Sequence, residues 1–174
     1  MKYLKLSSIT GLAFAVTLLF GSCAGYQLGS IKPTAMAGVQ SLAIPTFKNE
    51  TLEPRIHSLI TNSVIKQVQR DGSYSIASER KADAVVLGVI KTIDRRQLRS
   101  ARTDVLRTRE LEVIVTIDYI VRNSATGVEV AKGSVKGRTD VFLDPNFQLS
   151  ERQAVQTAAQ EAAVNLVSAI SEGF

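Results

Sequence analysis

Three kinds of hydrophobic pattern follow one another along the chain. The first is a nearly unbroken apolar run from Ile9 to Phe20, interrupted only by Thr10, Gly11 and Thr17. Short apolar stretches and helical spacings come next. Val39 to Ile44 (VQSLAI), closed by Pro45, predicts a strand, and the polar stretch Thr46 to Pro54 reads as a turn. Ile56, Leu59, Ile60, Val64 and Val68 recur at helical spacing, with Pro54 in the first turn and Asp71-Gly72 as the stop. Tyr74 to Ser78 predicts a second short strand.

The third pattern is strict alternation. Ala84 to Ile93 is apolar on both parities, as in a strand covered on both faces. From Leu111 to Arg122, Leu111, Val113, Val115, Ile117, Tyr119 and Val121 share one face, while Glu112, Thr116, Asp118 and Arg122 lie on the other with Ile114 and Ile120. Asn123 to Gly127 predicts a hairpin connection with Gly127 at positive φ, and Val128 to Phe142 returns as the partner, with a bulge expected near Gly133. Ser150-Glu151-Arg152-Gln153 matches a capping box, with Leu149 and Ala154 as a hydrophobic staple. Val155, Ala158, Ala159, Ala162, Leu166, Val167 and Ile170 then form one helical stripe, whose small residues allow a close approach to a sheet. The predicted class is α+β: two helices packed on one face of a mixed four- to five-stranded sheet. No internal repeat is visible.

The apolar run near the start is too short for a bilayer, which takes about 20 apolar residues. With Lys2 and Lys5 before it, it matches a signal peptide. Gly21-Ser22 directly before the only cysteine resembles a bacterial lipobox, although Phe20 stands where leucine is usual. Cys23 is then the lipidated N-terminus of the mature chain; the alternative is an ordinary signal peptide followed by a free thiol. The expected organisation is a signal peptide over 1–22, a lipidated N-terminus and linker over 23–38, and one domain over 39–174. Ala24 is not the acidic residue that retains enteric lipoproteins at the inner membrane, so the expected location is the outer membrane, lipid-anchored and facing the periplasm.

Composition narrows the chemistry. The chain has 174 residues, 45% hydrophobic and 21% charged, an ordinary globular balance. One cysteine excludes an internal disulfide, and one cysteine with one histidine excludes a zinc site built from those residues alone. His57 reads as a solvent-facing helix residue. No phosphate-binding glycine loop, nucleophile elbow or paired acidic motif is present, so no catalytic residue, metal or cofactor is assigned. Loss of residues 1–22 takes away Lys2 and Lys5, leaving 19 basic against 16 acidic groups. Any electrostatic role must therefore come from local patterning.

That patterning is concentrated between Arg95 and Arg109 (RRQLRSARTDVLRTR), where Arg95, Arg96, Arg99, Arg102, Arg107 and Arg109 face a single acid, Asp104. The stretch joins two strong strands as a long hairpin tip or as strand extensions, and Lys132, Lys136 and Arg138 on the returning strand extend the patch. It reads as a solvated loop or as a surface for anions, since the arginine fork pairs with phosphate and carboxylate in two-pronged fashion. Nucleic acid is the usual partner of such a run, but an exported protein meets almost none. Lipid phosphates, above all those of lipopolysaccharide, and acidic proteins remain.

Cys23 to Gly29 (CAGYQLG), Leu42 to Asn49 (LAIPTFKN), Asp94 to Gln97 (DRRQ), Leu106 to Glu110 (LRTRE) and Phe142 to Phe147 (FLDPNF) occur in an order that resembles the LptE lipoproteins, particularly their shorter members outside the enteric bacteria. The resemblance implies an outer-membrane lipoprotein that plugs the β-barrel protein LptD and helps insert lipopolysaccharide into the outer leaflet. It also implies two helices on a mixed sheet. Like those shorter members, the chain is expected to lack the long polar tail that enteric members carry after the last helix. A different class of function fits the same small domain: an envelope lipoprotein that binds and regulates a periplasmic enzyme or a cell-wall component.

Overall fold

Among the described residues, six strands and two helices follow a 3-10 turn at Thr34–Met36. The structure, a computed structural model, describes residues 32–99, 110–142 and 147–173. The elements are β1 (Ser41–Ala43), β2 (Lys48–Asn49), α1 (Ile56–Asp71), β3 (Ser75–Ile76), β4 (Ala84–Arg99), β5 (Glu110–Asn123), β6 (Glu129–Phe142) and α2 (Phe147–Glu172). The sheet runs β3-β1-β4-β5-β6, with β2 also beside β4. β1 pairs in parallel with β3 and β4, and β2 in parallel with β4. The β4–β5 and β5–β6 pairs are antiparallel. The class is α+β, as expected, with one strand more than the upper expectation. The extra strand, β2, lies in the stretch expected to be a turn.

One face of the sheet holds the core. Val86 and Ile90 of β4, with Val113, Val115, Ile117 and Val121 of β5, are completely buried there. Against them pack Ile60, Val64 and Val68 of α1 and Ala158, Ala162, Leu166 and Ile170 of α2, all buried. Phe47, next to β2, lies flat against Gly88: a Cβ on Gly88 would come within 2.3 Å of its ring. The Phe47 amide donates to Thr61 Oγ1 (3.0 Å), and that hydroxyl donates to the His57 carbonyl (2.7 Å), so the β1–β2 segment is fastened to α1. At the other end of α2, Tyr74 Oη donates to the Ile170 carbonyl (2.9 Å) and Ser171 Oγ to Asp71 Oδ2 (3.1 Å). Lys32 Nζ donates to the Val39 carbonyl (3.0 Å) and sits 4.3 Å from the Tyr74 ring centre.

Several local expectations need correction. The second face of β4 is not covered: Leu87 is 37% exposed, and Val85 and Val89 are half-buried, because both helices lie on the other side. α1 begins at Ile56, after Arg55 in the left-handed region (φ 62°), so Pro54 precedes the helix instead of opening it. α2 begins at Phe147, which places Ser150 inside the helix, and Leu149 is 58% exposed and so forms no staple. The irregularity in β6 falls opposite Val121/Arg122, not at Gly133, which pairs regularly with Tyr119. Gly72 (φ 75°) ends α1, its amide donating to the Val68 carbonyl (3.0 Å), and Gly127 (φ 69°) closes the hairpin, both as expected.

Asp83 joins the start of β4 to β1. Its Oδ2 accepts from the amides of Gln40 (3.0 Å) and Ser41 (2.9 Å) and from Ser41 Oγ (2.8 Å). The Ser41 hydroxyl first, and then the two amides, hold its pKa below the ordinary aspartate value. A depressed folded-state pKa contributes stability above the unfolded value, near 4, that is lost as pH falls through the folded one. Asp83→Asn is therefore expected to lower the denaturant midpoint at pH 7, and the gap from wild type is expected to close in acid. A gap of constant size from pH 7 to 2.5 would show that the charge contributes nothing.

Candidate functional site

β1 and β2 occupy one lane beside β4, and this lane ends early. The last pairing in it is Asn49 with Ile90, after which no described residue pairs with β4 on that side as far as Arg99. Beyond Ile90 the sheet is a three-stranded arm of β4, β5 and β6. Arg95, Arg96 and Arg99 lie on this arm as a strand extension, one of the two forms expected. Arg102, Arg107 and Arg109, together with Cys23, lie outside the described residues.

Alternation separates the two adjacent arginines. Arg95 pairs in register with Val113 and therefore points to the helix side. There its guanidinium bonds Glu151 of α2 through Nε and lies 3.5 Å from Glu53 through Nη2. Both pairs are partly exposed, which limits each to roughly 0–1 kcal/mol. Arg96 pairs with Glu112 on the open face, and the Arg99 backbone is in register with Glu110. The same open face carries exposed Lys132, Lys136 and Arg138 of β6, in register with Ile120, Thr116 and Ile114. Glu112, Asp94, Asp118 and Asp140 are interleaved with them, so the open face of the described arm is mixed in sign.

A second charged group lies where β2 leaves the sheet. Glu50 pairs with Lys91 (2.6 Å) and Lys48 (3.1 Å). Lys91 first, and then Lys48, pull the Glu50 pKa below the ordinary carboxylate range, while Glu50 raises that of Lys91. The loop after β2 is tightly held. Asn49 Oδ1 accepts from the amide (2.9 Å) and hydroxyl (2.7 Å) of Thr51, and Asn49 Nδ2 donates to the Glu53 carbonyl (2.9 Å). This loop presents Leu52 fully to solvent and borders a cavity of about 340 Å³ against residues 91–95 of β4. The roles of Glu53 and Glu151 as partners of Arg95 were not read from the sequence, since nothing local links positions 42 and 56 residues away.

Among the described residues, no group of three or more His, Cys, Asp or Glu is placed to hold a metal. None of their helices is long and apolar enough to cross a membrane. What the described residues of the site do show is charge pairing.

Among solved structures, the chain is similar to the PelC dodecamer from Paraburkholderia phytofirmans at 15% identity, covering 80% of this chain and 92% of that one (TM-score 0.51). It is similar to a minor lipoprotein from Acinetobacter baumannii at 9% identity, covering 78% and 94% (TM-score 0.55). A hypothetical protein, CT253, from Chlamydia trachomatis shares 9% identity over 78% and 97% (TM-score 0.55). At such identities the likeness shows a shared fold. No curated protein matches the chain. The family model described as LptE, lipopolysaccharide-assembly, matches residues 39–170, which span every strand and all of α1 and nearly all of α2. The chain belongs to the LptE lipopolysaccharide-assembly family.

Proposed function

We propose that this LptE-family chain is a non-enzymatic outer-membrane lipoprotein, anchored through Cys23, that pairs with an LptD-type β-barrel and assists the insertion of lipopolysaccharide. The observation that carries the reading is the family match over residues 39–170. The lipobox-like Gly21-Ser22-Cys23 supports the anchor. The arginine segment supports an anionic ligand, and Arg102, Arg107 and Arg109 are its proposed contacts together with Arg96 and Arg99. Arg95 contributes less, because Glu53 and Glu151 already share its charge.

A pull-down of tagged protein from detergent-solubilised membranes tests the partner. Recovery of a large outer-membrane barrel is expected; recovery of a peptidoglycan enzyme without a barrel would replace this reading with the regulatory alternative. The double change Arg107→Ala with Arg109→Ala is expected to weaken lipopolysaccharide capture, as is added salt for the wild type, since screening at 1 M confines charge effects to about 3 Å. Fold stability should remain within about 0.5 kcal/mol. Undiminished capture at low salt would mean that these two arginines are only solvated.

A further inference from the structure

Beyond Asn49 no described residue pairs with the β2-side margin of β4, and three hydrogen bonds from elsewhere in the fold define which groups face it. The Glu50 amide donates to the Ile90 carbonyl (3.0 Å), so Ile90 points its backbone away from β5. On the opposite margin of the sheet, the Arg138 amide donates to Glu161 Oε2 (3.0 Å) and the Lys136 carbonyl accepts from Asn165 Nδ2 (2.7 Å). Residues 136 and 138 therefore face away from β5, which makes their partners Thr116 and Ile114 face β4. Val115, Val113 and Leu111 then face β6, and their β4 partners Ile93, Arg95 and Gln97 turn their N–H and C=O groups away from β5, into a lane that no described strand occupies. The register shift between Ile90 and Thr92 carries this phase correctly across the bulge at Lys91.

The two margins of the sheet are treated differently. On β6, side chains of α2 occupy the outward groups in the middle of the strand. On β4, the described residues place only the Arg95 guanidinium near an outward group, 3.5 Å from the Ile93 carbonyl, which is a weak contact. The groove beside this edge is already formed. It is lined by Lys91, Thr92, Ile93 and Arg95 of β4 and, across from them, by the loop pinned by Asn49 and Thr51, which bears the fully exposed Leu52.

We infer that the edge of β4 from Ile93 to Gln97 is a strand-addition site that receives an extended backbone segment of the barrel partner, with Leu52 as an apolar contact at its rim. The inference rests on the barrel reading proposed above and deepens it. Outward N–H and C=O groups at every second residue, over about 16 Å of strand, match extended polypeptide backbone and no other ligand class. The segment is a loop or tail of the partner, because strands within a closed barrel have already spent their hydrogen bonds on one another. Arg95, which points inward between Glu53 and Glu151, keeps this edge from pairing indiscriminately, as inward-facing charges do on other open edges.

Hydrogen exchange of the full-length protein, free and in its detergent-purified complex with the barrel, tests the inference. The amides of Ile93, Arg95 and Gln97 are expected to exchange at least about ten-fold more slowly in the complex. Gln97→Pro removes one outward donor and no β5 ladder bond, and should lower barrel recovery by about five-fold or more. Leu52→Asp, at a side chain that touches no core residue, should lower recovery without affecting folding, so it decides the matter if the proline variant unfolds. A barrel recovered at wild-type levels by Leu52→Asp, with the three amides exchanging as in the free protein, overturns the strand-addition site and leaves the barrel pairing intact. Recovery of no barrel by the wild type overturns both. Concentration-dependent protection of the same amides in the free protein assigns the edge to a second copy of this chain and overturns the inference as well.

Discussion

Gly137→Ala is expected to be the most destabilising single-methyl change in the described fold. A Cβ at Gly137 would lie 1.9 Å from the Ala158 carbonyl oxygen and 2.2 Å from the Ala162 nitrogen, both main-chain atoms of α2. A side chain can rotate away from such a contact, but a helix backbone has to move as a body. α2 is held at its other end by Tyr74 and Ser171, so retreat near Ala158 tilts a helix whose inner face is wholly buried. Overpacking of this kind costs typically 1–3 kcal/mol, and a backbone contact belongs at the upper end, about 3 kcal/mol. For a domain of this size the melting temperature should fall on the order of 10 °C. Ala158→Leu, which adds volume at a completely buried position of the same helix, should cost on the order of 1–3 kcal/mol. Gly133→Ala is the control: its Cβ would meet the movable tip of Tyr119 at 2.9 Å and should cost much less. Denaturant melts of the unlipidated mature chain measure all three. An unchanged midpoint for Gly137→Ala would refute the close approach of α2 to β6.

Cys23→Ala should have the largest effect on location. A single acyl chain gives marginal, reversible membrane binding, and stable anchoring takes two signals. A diacylglyceryl thioether with an N-acyl chain exceeds that threshold, and without Cys23 none of the three chains has an attachment point. The variant is expected to leave the membrane fraction in high salt once its barrel partner is absent, and the wild type to remain. Mass spectrometry of the wild-type N-terminus should show an acylated Cys23. A Cys23→Ala protein that still sediments with membranes under those conditions would exclude the anchor, and density-gradient separation of the two membranes checks the predicted outer-membrane location.

What the sequence by itself determined was whatever depends on near neighbours. The alternation from Leu111 to Arg122 specified the buried face of β5, because side chains two apart on a strand share a face whatever the strand packs against. The stripe from Val155 to Ile170 likewise specified the inner face of α2, every member of which is buried. Gly72 and Gly127 were legible because left-handed backbone favours glycine locally. What only the tertiary structure decided lay in relations between distant segments. β2 is two residues long and polar, and it is a strand only because β4 offers it hydrogen bonds at Val89 and Ile90. The bare second face of β4 followed from where the helices settle, which an apolar run cannot reveal. Arg95 and Arg96 are one run of like charge in sequence, yet the pleat sends one to Glu53 and Glu151 and the other to the opposite face. The edge at Ile93, Arg95 and Gln97 is unpaired among the described residues because β2 ends at Asn49 while β4 runs on to Arg99, and that difference in length has meaning only once the two strands lie side by side.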